Sequence, residues 1–214
     1  VMGYLGQSVL VASEDTVLRN FSCTDIREIE PGEMVIVDNN GVRIVHPFLK
    51  RPHASCVEDI VQLARNDATV FGVDVYAARV SLGRALAKEQ PTGAGTVVVG
   101  LPGAGVPAAL GYAQAVKVPY HRGLERPTQR RFLDPSVASL VPSGSDFQVR
   151  VNKSVVSQQH VVLVVPVLVT GKTARTVVRL LRSAGAAAVH VRIAAPPVKF
   201  ASPYGVLSPT SEEL

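Results

Sequence analysis

Five consecutive residues, Thr170-Gly171-Lys172-Thr173-Ala174, combine two hydroxyls, a glycine and a cation directly after the apolar run Val161–Val165. A strand that ends there and hands over to a helix presents unpaired backbone N–H groups, a hydroxyl and an ammonium, the chemistry of a nest for phosphate. A plainer reading of the same residues is a glycine turn with Thr173 as the helix cap. The stretch is not a Walker A loop, because the glycine required five positions before Gly171 is Pro166. Gly103-Ala-Gly-Val-Pro-Ala108 follows a second apolar run, Val97–Val99, and formally matches a dinucleotide fingerprint. No acid closes a second strand about 20 residues on to take a ribose hydroxyl, so that match is a decoy. His46, His53, His121, His160 and His190 are scattered and no metal site is expected. Neither a nucleophile elbow nor a base for Cys56 is visible, so no catalytic residue is assigned.

Charge singles out the same helix. The formal net charge is +5, yet no Asp or Glu occurs between residues 147 and 211, where eight Lys and Arg stand. From Lys172 to Arg182 the pattern is helical, with Val177, Leu180, Leu181 and Ala184 on one side. At about 100° per residue, Lys172, Arg175, Arg179 and Arg182 stack on the other. Such a stripe is either a hydrated face or a contact for phosphate, RNA or an acidic partner. Aromatic residues make up 5% of the chain and Trp is absent, which gives stacking on RNA bases little support.

The elements that would position these residues alternate. Val9–Ala12, Met34–Val37 and Val42–Val45 read as strands, the last two joined by the turn chemistry of Asp38-Asn-Asn-Gly41. From about residue 53 the pattern becomes helix and strand in turn: a helix over 74–88, a strand over 96–99, a helix over 106–116, then strand 161–165, the basic helix, and strand 189–193. This predicts an α/β fold with a buried parallel sheet, preceded by a β-rich region over 1–52, with the second domain over 53–214. A chain of 214 residues with 47% hydrophobic and 18% charged residues can bury a sizeable core and is not a disordered tail. The longest apolar stretch, Val161–Val169, is broken by Pro166 and falls short of the roughly 18 residues of a membrane span, so no membrane partner is expected. Two cysteines suggest a reducing intracellular compartment, the cytoplasm or a mitochondrial matrix. The opening Val1-Met2-Gly3 carries no leader and reads as an internal position.

Motif order then points to a family. Leu10-Val-Ala-Ser-Glu14 and Ile26–Ile36 resemble the end of the glutaminase domain of glutamine phosphoribosylpyrophosphate amidotransferases, the amidophosphoribosyltransferases. Cys56–Ile60, Ala64-Arg65, Val75–Arg79 and Gly83–Ala87 resemble the entry to their phosphoribosyltransferase domain. Ala108–Ala113, Val118–Tyr120, Gly123-Leu124 and Phe132–Pro135 follow in family order, as do Leu181–Gly185, Val189–Ile193, Ala195–Pro197, Tyr204–Val206 and Pro209-Thr210.

The resemblance implies a type I phosphoribosyltransferase fold, with ligands at the carboxyl ends of parallel strands, and transfer of ammonia from glutamine to phosphoribosylpyrophosphate. It also marks departures. Where the family carries two adjacent aspartates for the ribose hydroxyls, this chain has Val165 and Pro166; the pyrophosphate-side loop reads Pro102-Gly-Ala-Gly105; the catalytic loop reads Glu125–Arg131, with only Arg130 matching. Cys56 matches one iron–sulfur position of part of the family, but Ser202 stands at another, so no cluster is expected. These departures lead to the expectation of a catalytically degenerate relative acting as a structural or interaction subunit. The basic third suggests a mitochondrial ribonucleoprotein or ribosome as host, and protein partners would cover the N-terminal strands. The alternatives are an active amidophosphoribosyltransferase or phosphoribosyltransferase of purine synthesis with altered substrate contacts, taking magnesium with its donor, or a phosphometabolite sensor using Thr170–Ala174.

Overall fold

The computed structural model describes residues 1–49, 52–126 and 149–198. They form two compact units, Val1–Ala78 and Arg79–Leu214. In the first, β1 (Met2–Leu5), β2 (Ser8–Val11) and β3 (Thr24–Arg27) make an antiparallel sheet in the order β2-β1-β3, with helix α1 (Asp15–Asn20) between β2 and β3. Strands β4 (Met34–Asp38) and β5 (Gly41–Val45) pair antiparallel as anticipated. Their turn is closed by the Asn40 N–H donating to the Asp38 carboxylate at 2.8 Å, and Gly41 takes φ 111°. A π-helical turn (Asp59–Leu63) leads to a hairpin, β6 (Thr69–Val70) and β7 (Val73–Asp74), that the sequence pattern does not announce. Its two loop residues, Phe71 and Gly72, both have positive φ, 52° and 70°, the geometry of a type I′ turn. Ala64, Ala68 and Val75 are buried together with Val70 against them.

The second unit holds the parallel sheet. Strands β8 (Thr96–Gly100), β11 (His160–Val165) and β12 (Ala188–Ile193) run in the order β12-β11-β8, with His160 opposite Thr96 on one side and Ala188 on the other. Tyr120 forms a parallel bridge to Val98 and extends the sheet past β8. Helices cover both faces, as the near-continuous valines require. Val98, Val162 and Val164 pack with Leu86 of α2 (Val75–Glu89) and with Ala108, Ala109 and Tyr112 of α3 (Gly105–Val116). Val97, Val99, Val161, Leu163 and Val165 face the other way, into Val177 and Leu181 of α5 (Lys172–Ser183). The short β9 (Leu124–Glu125), β10 (Arg150–Val151) and α4 (Lys153–Val156) contribute Leu124 and Val156 to that second layer.

The buried sides of α2 and α5 depart from a plain count of hydrophobic positions. In α2 the buried positions are Val75, Arg79, Gly83, Leu86 and Ala87, while Ala77 and Ala85 face outward. The reason is backbone contact: a Cβ on Gly83 would lie 1.9 Å from the Ala108 carbonyl oxygen, and one on Gly111 would lie 2.0 Å from that of Val80. The helices cross at a pair of glycines, which a hydrophobic count passes over. In α5 the buried residues are Ala174, Val177 and Leu181, and Leu180 is 38% exposed.

Candidate functional site: two helix starts at the strand ends

Both β8 and β11 deliver the chain at their carboxyl ends into a short connection and then a helix, so the starts of α3 and α5 lie at the same edge of the sheet. The helix dipoles and the unpaired N–H groups of both first turns are therefore directed to that edge.

After β11 the connection runs from Pro166 to Gly171. Gly171 is the residue before α5 and adopts φ 73°, a left-handed conformation that costs a residue with a Cβ roughly 1–2 kcal/mol. The Thr170 hydroxyl accepts a hydrogen bond from the Lys172 N–H at 3.4 Å, and the Arg175 N–H donates to the Gly171 carbonyl at 2.9 Å as the helix ladder begins. Between them the N–H groups of Thr173 and Ala174 belong to the open first turn. Thr173 sits inside the helix rather than capping it, and no side chain caps α5. The five residues picked out from sequence thus occupy one strand-to-helix corner, with Lys172 exposed, Thr170, Gly171 and Thr173 half-buried, and Ala174 packed inward.

The other corner is Leu101–Ala104, which overlaps both the glycine run rejected as a dinucleotide fingerprint and the Pro102–Gly105 loop singled out by resemblance. Glycines hold it against the strands. A Cβ on Gly105 would sit 3.0 Å from the Leu101 Cβ, 3.1 Å from the Val164 carbonyl oxygen and 3.3 Å from the Pro166 Cδ; one on Gly100 would sit 2.9 Å from the Ala109 Cβ. The start of α3 therefore touches the end of β11. Gly103, at φ 100°, turns the loop and its carbonyl accepts from the Val106 N–H at 3.3 Å. The spacing of Gly100, Gly103 and Gly105 was the available signal, and it was set aside with the dinucleotide fingerprint.

Between the corners lie Val165 and Pro166. Both are buried, and the Val165 carbonyl accepts from the Ala194 N–H at 2.9 Å. Val165 joins the core on the α5 side, so this strand end is an apolar plug and not a hydroxyl-binding pair.

Lys172, Arg175, Arg179 and Arg182 are exposed along one side of α5, as predicted. Among the described residues no three His, Cys, Asp or Glu groups gather as a metal set, and no helix is long and apolar enough to cross a membrane. Arg130, the segment 127–131, Ser202 and the 204–210 motifs lie outside the described residues.

The model of the phosphoribosyl transferase domain family matches residues 59–199. Over its full length the chain is 41% identical to the amidophosphoribosyltransferase of Mycobacterium tuberculosis, covering 40% of that protein, and 36% identical to that of Bacillus subtilis, covering 45%. It superposes, over its whole length and 46% of the other chain, on a solved structure of an allosteric regulatory enzyme of purine biosynthesis, with a TM-score of 0.83 and 34% identity. An equal score relates it to the B. subtilis glutamine phosphoribosylpyrophosphate amidotransferase complexed with ADP and GMP, with 47% of that chain covered. The chain spans less than half the length of these relatives. The expected α/β type I phosphoribosyltransferase fold stands.

The expectation of a catalytically degenerate structural subunit, with a ribonucleoprotein or ribosome as host, is corrected by these relatives, whose names are those of enzymes. Its physical weakness is visible in the site. The replacements at Val165 and Pro166 remove side-chain carboxylates but leave two strand-to-helix corners with open first turns, and only four of the eight basic residues that suggested RNA stand on the α5 stripe.

Proposed function

The chain belongs to the phosphoribosyl transferase domain family, and on that premise we propose that it is the donor-binding part of an amidophosphoribosyltransferase of purine synthesis with altered substrate contacts. Phosphoribosylpyrophosphate is a ribose with anionic groups at both ends, the pyrophosphate carrying magnesium. The Thr170–Ala174 corner takes the 5′-phosphate through the first-turn N–H groups of α5, the Thr173 hydroxyl and the Lys172 ammonium, with Arg175, three residues further along the helix, as a second cation. The Pro102–Gly105 corner offers the first turn of α3 to the pyrophosphate. The observation that carries this reading is the left-handed Gly171 at a strand-to-helix corner, beside a second helix start held to the same strand end.

No carboxylate stands at Val165 and Pro166, so affinity rests on the phosphates rather than on the ribose hydroxyls. Titration calorimetry of the chain with magnesium phosphoribosylpyrophosphate tests this. Saturable binding is expected, with Gly171→Val or Lys172→Glu weakening it about tenfold or more, the first because a β-branched residue does not keep the left-handed corner and the second because it replaces a charge-assisted contact to phosphate by a repulsion. A donor analogue lacking the 2-hydroxyl should bind within about twofold of the parent, because no buried partner is left unpaired by its loss. No heat at millimolar donor would remove the proposal.

A further inference from the structure

The outward side of α5 carries more cationic charge than the fold around it balances. Arg175, Arg179 and Arg182 enter no ion pair among the described residues. The helix contains no acid, and none occurs anywhere between residues 147 and 211. Each neighbour along the stripe is a like charge three or four residues away, which weakens a helix instead of supporting it. Lys172 and Arg175 also stand in the first turn, where the helix dipole disfavours cations. Rotation cannot relieve this, because Ala174, Val177 and Leu181 fix the opposite side in the core. Among the described residues no carboxylate offsets Arg179 and Arg182, which lie beyond the phosphate corner.

We infer that this face docks a carboxylate-bearing helix of a partner protein. The cations are spaced three, four and three residues apart, a straight ladder of about 15 Å with steps of about 4.5, 6 and 4.5 Å at the helical rise per residue. Glu or Asp side chains at the same three-and-four spacing on a second helix repeat those steps. Three of the four cations are arginines, whose planar forks bind carboxylates in pairs of hydrogen bonds. On one flank the residues beside the ladder are low, Thr176 donating its hydroxyl back to the Lys172 carbonyl at 3.0 Å and Ser183 following at the end of the helix, and on the other flank stands the half-buried Val178. A neighbouring helix can therefore approach closely. Nucleic acid fits less well, since α5 has no aromatic side chain for a base to stack on.

The test uses the full chain and three fluorescent probes. One is a helical peptide of about 20 residues with Glu at the matching spacing; the second has the same composition with Glu distributed around the helix; the third is a single-stranded oligouridylate of similar length. The aligned peptide should bind about tenfold more tightly than either of the others and lose that advantage near about 0.5 M salt. Arg179→Glu with Arg182→Glu should abolish the preference while leaving circular dichroism and donor binding unchanged, and Arg179→Gln with Arg182→Gln should give an intermediate loss. Equal binding of the scrambled peptide, tighter binding of the RNA, no saturable peptide binding, or indifference to the glutamate pair would each overturn the inference. Because Arg179 and Arg182 lie outside the phosphate corner, failure here is distinguishable from failure of the donor-site reading.

Discussion

Arg27 and Glu33 form the best-defined ion pair of the first unit. The Arg27 guanidinium donates to both Glu33 carboxylate oxygens, at 2.9 and 2.5 Å, and the Glu30 N–H donates to one of them at 2.8 Å. The guanidinium above all, and then the backbone N–H, hold the Glu33 carboxyl down from 4.5 to about 2, while the same pairing raises Arg27. A carboxyl whose folded value lies below its unfolded one stabilises the protein above the unfolded value and loses that contribution as pH falls. Thermal unfolding followed between pH 5 and pH 2 should therefore show the melting temperature falling from about 4.5 downward. Glu33→Gln should flatten that fall, and a parallel decline in both proteins would show that the pair does not carry it. At the same scale, the Thr170–Ala174 corner was legible because hydroxyl, glycine and cation are local signals. Of the two readings of that run, the Thr173 cap is not the one the helix adopts, because Gly171, not the Thr173 hydroxyl, sets where α5 begins.

Helix packing depends on what is missing from two positions. The reciprocal contacts at Gly83 and Gly111 leave no room for a methyl group, whereas nothing lies within 4 Å of a Cβ built on Gly93. Overfilling a packed contact costs typically 1–3 kcal/mol and more when the obstacle is backbone. Gly83→Ala should thus lower stability in urea by about 3 kcal/mol or more, and Gly93→Ala by under about 0.5 kcal/mol. Equal effects would mean that α2 and α3 can shift apart freely. This contact also explains the limit of pattern reading. The strands β8, β11 and β12 were legible as valine runs and the helices as periodic segments, but the buried side of α2 was not, because a glycine buries without being hydrophobic. The strands β6 and β7 were missed for another reason: a Phe-Gly pair takes the positive φ values that Asn-Gly usually signals.

At the level of the whole molecule, one feature of strand pairing has a temporal meaning. Strand β11 sits between two partners, but His160 is 28 residues from Ala188 and 64 from Thr96. Closing the longer loop costs only about 0.7 kcal/mol more. The nearer pairing has a second advantage, since the whole intervening α5 packs on the strands as they meet. The order of assembly should follow: β11, α5 and β12 collapse as a nucleus and β8 zips on after the rate-limiting barrier. In stopped-flow refolding, Leu181→Ala would then slow folding, while Val99→Ala, equally buried, would chiefly hasten unfolding. The reverse pattern would place the nucleus across the longer closure. If the nucleus is as described, the Thr170–Ala174 corner is among the earliest parts of the chain to acquire its shape, and the second corner, which depends on β8, is completed only as the last strand arrives.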